Sequence, residues 1–284
     1  MTAASMPAAA VVVGVDGSHD GVRALQWAAA DAARRHRPLH LVQACERQDA
    51  VPAAERIISR AVVDARDVAA DLRITTEIVA ERPVPALLNA ARHASLVVVG
   101  SRGFGGFAAL LVGSTGLQLA AHAECPVVVV RRPGDADGPE AGRVVVGVDG
   151  SHDAGHALGF AFEQAAFRGA GLTAVHAYWF SSAAEAGGIA AVVYDEDEVR
   201  EEQRRMAAES LAGWRERYPE ADVRLNIVRG PAGGVLTDAS GGAELLVVGA
   251  RGHGGFPGLR LGSVSQAVLH HARCPVAVVR SPHG

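Results

Sequence analysis

The chain has 284 residues and a formal net charge of −4; 49% of its residues are hydrophobic and only 5% are aromatic. This length accommodates two domains with full cores, and the aliphatic composition is typical of buried parallel strands. No basic block occurs, so neither nucleic acid nor an anionic membrane surface is an expected partner. All 27 basic residues are arginine, which excludes a Walker lysine, a Schiff-base lysine and a lysine general base.

The cysteines and the N-terminal segment indicate the compartment. Cys45, Cys125 and Cys274 form no C-x-x-C pair, and their odd number argues against a disulfide framework. Met1 to Ala10 contains no basic segment, and Asp16 soon interrupts the apolar stretch that follows. We therefore expect a cytoplasmic protein with neither a signal peptide nor a transmembrane span.

The chain is internally duplicated. The sequence V-V-V-G-V-D-G-S-H-D begins at Val11 and again at Val144, an offset of 133, and the C-P-V-x-V-V block begins at Cys125 and at Cys274, an offset of 149. The second copy therefore carries 16 extra residues (149 minus 133), which fall around residues 181–202. The Pro-, Gly- and Asp-rich seam at residues 132–142 reads as a linker. We predict domains at residues 1–132 and 143–284.

Within the first copy, aliphatic strands alternate with amphipathic helices. The predicted strands are Val11 to Asp16, Leu39 to Ala44, Ile74 to Val79, Leu96 to Gly100 and Pro126 to Val130, and the predicted helices are Asp20 to His36, Ala53 to Leu72, Val84 to His93 and Ser114 to His122. The second copy repeats this order, with a longer charged helix from about Asp195 to Arg217. The alternation predicts an α/β fold of two flavodoxin-like (Rossmann-like) domains. Each is expected to be a five-stranded parallel sheet of order 3-2-1-4-5 with helices on both faces.

A glycine-rich loop follows the fourth strand of each copy. Gly100-x-x-Gly103 is followed by nine residues and then Gly113-Ser114, and the second copy repeats this spacing from Gly249 to Ser263. Glycine lets a ligand approach the backbone closely, Ser114 is a good N-cap, and the first amides of a helix favour a phosphate. In the predicted sheet order, Asp16 and Asp149 end the strands beside these loops. The sequence thus predicts two anion sites, each with a carboxylate alongside.

These motifs resemble those of tandem universal stress proteins, whose ATP-binding members carry G-x-x-G, nine residues and G-[ST], with an Asp ending the first strand. The resemblance covers nearly the whole chain and implies two ATP sites with Mg²⁺ at the phosphates. It also implies internal pseudo-two-fold pairing of the two domains through their last strands, and a homodimer of the tandem chain. The residues it assigns to site one are Gly14, Asp16, Ala44, Gly100, Arg102, Gly103, Gly113, Ser114 and Thr115. Those it assigns to site two are Gly147, Asp149, Ala177, Gly249, Arg251, Gly252, Gly262, Ser263, Val264 and Ser265. No metal ligand is assigned among the side chains.

Several interpretations of single residues remain open at this point. Asp16 could instead cap the following helix, and Arg102 and Arg251 could be solvated loop charges rather than phosphate ligands. The family often has Ser or Thr two residues after its G-[ST] pair; Ser265 fits this pattern, whereas the first copy has Gly116 there. A G-x-G-x-x-A match at residues 103–108 has no counterpart in the second copy, so we regard it as chance.

Three functions are consistent with the sequence. The first is an ATP-binding regulator of stress adaptation or growth, and no catalytic constellation contradicts it. The second is a slow ATPase or nucleotidyl-transfer enzyme of the same fold. The third is an interaction scaffold whose loops bind no nucleotide.

Overall fold

The computed structural model describes residues 6–103, 112–132, 137–179, 196–253 and 259–281. The strands are β1 Val11–Gly14, β2 Leu39–Ala44, β3 Ile74–Val79, β4 Leu96–Gly100, β5 Val127–Val130, β6 Arg143–Gly147, β7 Gly171–Tyr178, β8 Val223–Arg229, β9 Leu245–Gly249 and β10 Val276–Val279. The α-helices are α1 His19–Arg34, α2 Val51–Val68, α3 Pro83–Ala91, α4 Ser114–His122, α5 His152–Arg168, α6 Glu196–Arg217, α7 Ala232–Ala239 and α8 Ser263–His271. A short 3₁₀ turn, Gln48–Ala50, precedes α2.

All ten strands form one sheet, in the order β3-β2-β1-β4-β5-β10-β9-β6-β7-β8. Each half follows the predicted 3-2-1-4-5 order with parallel neighbours. The halves are not separate sheets, because β5 and β10 pair antiparallel, with Val128 opposite Ala277. The predicted sheet order is therefore confirmed in part. The two apolar last strands form hydrogen bonds with each other, so neither is an exposed edge.

The core lies in two layers, one on each face of the sheet. Side chains alternate along the strands, so Val11 and Val13 face one layer and Val12 faces the other, and all three are fully buried. Helices α1, α2, α5 and α6 cover the first face, and α3, α4, α7 and α8 cover the second. Burial on both faces explains why the six central strands, β1, β4, β5, β6, β9 and β10, read as aliphatic runs, whereas the outer strands β3 and β8 include polar residues.

Several predicted boundaries shift for local reasons. Strand β1 ends at Gly14, two residues before the predicted end, and the side chain of Asp16 instead accepts from the N–H of Ser18 ahead of α1. Helix α2 ends at Val68 rather than Leu72. Pro83, whose missing N–H costs nothing in a first turn, is the first residue of α3.

The prediction that Ser114 is an N-cap was wrong. Gly113 is the N-cap of α4 and has an extended backbone, Ser114 is the first helical residue, and Gly262 and Ser263 are arranged in the same way in α8. Residues 133–136 of the predicted linker, residues 181–195 of the extra segment and residues 104–108 of the G-x-G-x-x-A match lie outside the described residues.

Two arginines link the halves reciprocally. The guanidinium of Arg131, just after β5, donates to the carbonyls of Leu269 and, at 2.9 Å, His270 near the end of α8. Arg280, just after β10, donates to the carbonyl of Ala121 near the end of α4 at 2.8 Å. Each arginine therefore satisfies C-terminal carbonyls of the opposite half, where the helix dipole favours a cation.

Candidate functional site

Two cavities open at equivalent positions, where the carboxyl ends of the strands meet the helix N-termini. The first cavity, of about 350 Å³, lies over β1, β2 and β4 and reaches the start of α4. The second, of about 480 Å³, lies over β6, β7 and β9 and reaches the start of α8. In open α/β sheets a crevice forms beyond the carboxyl ends of the strands, at the point where strand order reverses. Here that point lies between β1 and β4, which are followed by helices on opposite faces of the sheet.

Most of the predicted site residues line these cavities. In the first cavity they are Gly14, Asp16, Ala44, Gly100, Arg102, Gly103, Gly113 and Thr115. In the second they are Gly147, Asp149, Ala177, Gly249, Arg251, Gly252, Gly262, Ser263, Val264 and Ser265. Ser114 is not among the described residues that line the first cavity, whereas its neighbours Thr115 and Gly116 are.

The carboxylate of Asp16 is oriented by its own turn. Its Oδ1 accepts hydrogen bonds from the backbone N–H of Ser18 at 2.9 Å and from the Ser18 hydroxyl at 2.6 Å. Ser18 is the residue that caps α1, since its Oγ accepts from the N–H of Gly21 at 3.0 Å. The alternative that Asp16 itself caps α1 is therefore wrong. Gly17 completes the turn with a φ of +77°, a conformation that only glycine adopts cheaply.

Asp149 repeats this arrangement and also contacts the glycine loop. Its Oδ1 accepts from the N–H of Ser151 at 2.9 Å, and its Oδ2 accepts from the N–H of His253 at 3.2 Å. In the first half, a Cβ at Gly103 would lie only 2.9 Å from the Oδ2 of Asp16. In both halves, therefore, the carboxylate lies directly against the second glycine of the loop.

Gly100 and Gly249 pack closely against the first turns of α1 and α5. A Cβ at Gly100 would lie 2.6 Å from the backbone carbon of Asp20 and 2.9 Å from the nitrogen of Gly21. A Cβ at Gly249 would lie 3.0 Å from the backbone carbon of Asp153. The missing side chain thus makes room for the first turn of α1 or α5.

Sequence reasoning missed two buried carboxylates behind the loops. Asp20 accepts from the hydroxyl of Ser101 at 2.7 Å and from Nε of Arg102 at 3.2 Å. Burial would raise the pKa of Asp20, but the hydrogen bonds from Ser101 and Arg102 and the charge of Arg23 outweigh it and hold this pKa below its ordinary value. The repeated position of this aspartate in the duplicated block was the only available signal.

Asp153 occupies the same position in the second half. It accepts from the backbone N–H groups of Arg251 and Ser281, both at 3.1 Å. The side chains of Arg102 and Arg251 remain about half exposed, and their Nε atoms lie 3.2 and 3.8 Å from these two aspartates. Both arginines are therefore anchored at the base of the loop rather than being fully solvated charges.

The two cavities differ in their polar lining. The hydroxyl of Ser265 donates to the carbonyl of Gly249 at 2.6 Å, which ties α8 to the end of β9. The first half has Gly116 at the equivalent position, where a Cβ would contact Val129. Gln43 lines the first cavity and His253 the second. The sequence reasoning missed both, because Gln43 lies outside the repeated motif and His253 lies in its nine-residue spacer, where the motif specifies no residue.

The cysteines behave as small apolar residues. All three are free, and burial raises the pKa of the Cys125 and Cys274 thiols to about 12. Both thiols are therefore protonated and unreactive at neutral pH.

In the part of the chain that the structure describes, no helix is long and apolar enough to span a bilayer.

The fold and the two cavities define a tandem α/β protein with one glycine-loop crevice in each half. A sequence model described as the universal stress protein family matches residues 9–131 and 140–280. The chain therefore belongs to the universal stress protein family, as the loop spacing predicted.

Similar proteins have the same tandem organisation. Universal stress protein Rv2005c of Mycobacterium tuberculosis (strain ATCC 25618 / H37Rv) is 39% identical over 290 residues, covering 95% of this chain and 96% of that protein. Universal stress protein Rv1996 of the same strain is 35% identical over 302 residues, covering 96% and 95%. The crystal structure of a universal stress protein from Archaeoglobus fulgidus DSM 4304 aligns with a TM-score of 0.67 at 18% identity, covering 95% of this chain and 96% of that chain. At this identity the structural match supports the fold alone.

Proposed function

We propose that the protein binds one ATP in each cavity, with Mg²⁺ on the phosphates, and that occupancy regulates stress adaptation or growth in the cytoplasm. In this proposal the predicted residues are the ligand contacts, and residues 1–132 and 143–284 are the two binding units. The observation that carries it is the duplicated crevice, in which a glycine loop, a helix N-terminus and an oriented carboxylate converge. A helix N-terminus and glycine backbone suit a phosphate, and a carboxylate suits ribose hydroxyl groups.

The charge arrangement favours binding over turnover. Phosphoryl transfer requires positioned cations and an oriented water, and the nearest guanidinium groups, Arg102 and Arg251, are already drawn toward Asp20 and Asp153. Within the described residues, no cluster of three or more His, Cys, Asp or Glu side chains could hold a metal ion, so phosphate oxygens and water would be the expected Mg²⁺ ligands. Phosphate release under single-turnover conditions should therefore be far slower than about 1 s⁻¹. A rate near that value that disappears in Asp149→Asn would favour the enzyme instead.

The binding test uses the second loop glycine of each half. Denaturing the purified protein should release close to two adenine nucleotides per chain. Gly103→Asp and Gly252→Asp each add a carboxylate beside Asp16 or Asp149, where it repels phosphate. Each single variant should therefore lose one nucleotide, and the double variant should lose both.

Gly213→Asp is the matched control for these variants. It makes the same change of composition and charge on an exposed stretch of α6, where a Cβ meets no described atom within 4 Å. This variant should keep both nucleotides. Absence of nucleotide from the wild-type protein, together with no heat of ATP binding, would refute the proposal. Unchanged content in both loop variants would show that the loops are not the site.

The homodimer implied by the resemblance requires a surface other than the last strands. β5 and β10 already pair within the chain, so β3 and β8 are the outer strands of the described sheet. We propose a dimer through another face, and light scattering at working concentration tests it. A strictly monomeric mass would refute the dimer without affecting the internal pairing.

A further inference from the structure

Two exposed histidines lie one helical turn apart at the start of α5. His152 is the first residue of this helix and His156 follows four positions later, so both side chains lie on the same face. Apart from each other, neither ring has a hydrogen-bond or ion-pair partner among the described residues. Both are absent from the described lining of the second cavity. Their imidazole nitrogens are therefore available to a ligand from solvent.

The two rings are spaced as ligands of one metal ion. Their centres are 5.0 Å apart, with 72° between the ring planes. A metal ~2.1 Å from an imidazole nitrogen lies ~3.2 Å from the centre of that ring, so two rings at ~90° to ~109° around the metal have centres ~4.5 to ~5.2 Å apart. The observed spacing falls within this range. By contrast, the rings of His270 and His271, which are consecutive on α8, have centres 6.1 Å apart.

The surface beside the pair is open, and its backbone is fixed. Gly155 lies between the two histidines in sequence, and a Cβ there would have no atom of another described segment within 4 Å. Ser151 caps the helix, because its hydroxyl accepts from the N–H of Ala154 at 3.3 Å. A metal ion with bound water therefore has room beside two rings that are carried by a regular helical turn.

The first copy lacks this pair. At the repeat offset of 133, His19 corresponds to His152 and Arg23 to His156. The guanidinium of Arg23 pairs with the carboxylate of Asp20. Arginine has no acceptor for a metal, since its side chain stays protonated. The first copy thus provides a matched position with only one histidine.

We propose that His152 and His156 together bind one divalent transition-metal ion, of the class that prefers imidazole nitrogen, such as Zn²⁺, Ni²⁺ or Cu²⁺. In the ranges that the structure describes, no group of three or more His, Cys, Asp or Glu side chains could hold a metal, so water fills the remaining positions. Mg²⁺ prefers oxygen ligands. This site is therefore distinct from the Mg²⁺ that would accompany ATP, and it does not depend on nucleotide binding.

The pair lies beside a contact that supports the second cavity. Asp153, next to His152, accepts from the backbone N–H of Arg251 at 3.1 Å, and Arg251 lines that cavity. A metal that joins the first two turns of α5 would stiffen the segment that carries this contact. The first half has no such bridge, so the metal would act on the second half alone.

The test titrates Ni²⁺ into the untagged, chelator-treated chain without nucleotide and measures binding by calorimetry. The wild type should bind one Ni²⁺ at this pair. His152→Gln, or His156→Arg, which places the residue of the first copy there, leaves a single ring and should weaken this binding roughly tenfold or more, because two joined ligands become one. His19→Gln is the matched control. It removes an exposed histidine from the equivalent position of the first copy and should keep the wild-type affinity.

Hydrogen exchange gives a second readout on the wild-type protein. Ni²⁺ should slow exchange in the first two turns of α5 and leave the equivalent turns of α1 unchanged. No Ni²⁺ binding by the wild type, equal affinity in the wild type and both α5 variants, or an equal loss in His19→Gln would overturn the inference. If an α5 variant does not fold, the exchange pattern decides: protection confined to α5 supports the site, and protection absent from α5 or equal in α1 refutes it.

Discussion

Replacing Gly100 by alanine tests whether this glycine serves the fold or a ligand. Its Cβ would lie 2.6 Å from the backbone carbon of Asp20, whereas carbon atoms in ordinary contact are ~3.5 Å apart. The first turn of α1 would therefore have to move by about 0.9 Å. Backbone atoms cannot rotate away as a flexible side-chain end can, so the whole turn must shift.

Two contributions add up to the expected loss of stability in Gly100→Ala. Overpacking of this kind costs about 1–3 kcal/mol. The shift would also stretch the 2.7 Å hydrogen bond between Ser101 and the Asp20 carboxylate, and a hydrogen bond to a charged group contributes about 1.5–3 kcal/mol. If about half of that bond is lost, Gly100→Ala should lower the free energy of unfolding by about 3 kcal/mol.

Two matched variants calibrate this value. At Gly249 the closest distances to a Cβ are 3.0 to 3.1 Å, so Gly249→Ala needs a smaller shift and should cost about 1 kcal/mol. At Gly113 the nearest atom is 3.4 Å away, so Gly113→Ala should change the free energy of unfolding by less than about 1 kcal/mol. Urea unfolding followed by circular dichroism gives the three values, and peptide-resolved hydrogen exchange should show the loss of protection concentrated in α1 for Gly100→Ala and in α5 for Gly249→Ala. Equal stability of all three variants would refute the packing argument.

Three more tests concern the contact between the two halves, a buried carboxylate and a buried histidine. Arg131→Met should lower the free energy of unfolding by about 1–3 kcal/mol in chemical denaturation, because C-terminal carbonyls of α8 lose their donor; full stability would contradict this. The pKa of Asp20 is held below its ordinary 3.8, so its contribution is present above that pH and is lost as pH falls through the lower, folded value. Asp20→Asn should therefore be less stable than the wild type at pH 7, with a gap that narrows below about pH 4. Burial lowers the pKa of His40 from 6.5, despite the opposing carboxylate of Glu77, so stability should fall as pH drops below 6.5. Melting curves from pH 7 to 5 should show less of this acid loss in His40→Gln than in the wild type.

The repeating elements were predictable because their signals are local. The spans of β2, β3, β4 and α4 were predicted residue for residue. β4 is an unbroken aliphatic run, and β3 is a short segment rich in β-branched residues. Helix ends were less accurate, as α2 illustrates. Its apolar spacing continues to Leu72, but the helix ends at Val68, so the apolar periodicity extends beyond the last helical residue.

The missed residues depend on contacts between distant parts of the chain. Asp20 reads as an ordinary acidic residue in a first helical turn, and only its hydrogen bond to Ser101, 81 residues away, shows that it is buried. The crowding at Gly100 also depends on a contact between distant parts of the chain. Its spacing marks a glycine loop, but the neighbour that excludes a side chain is the backbone of α1. A sequence motif can identify a loop without revealing which side of the loop is crowded.

Duplication makes the divergence between the copies informative. The repeated residues lie at the loop end of each cavity, where Asp16 and Asp149 have nearly the same turn geometry. The second strand has changed: Gln43 retains an unpaired acceptor, whereas its counterpart His176 is held by Val148 and Gln203. The two copies therefore keep the turn that orients the carboxylate and differ in the contacts made by the residue near the end of the second strand. A repeated motif can identify the turn in both halves, but it cannot show that these polar contacts differ.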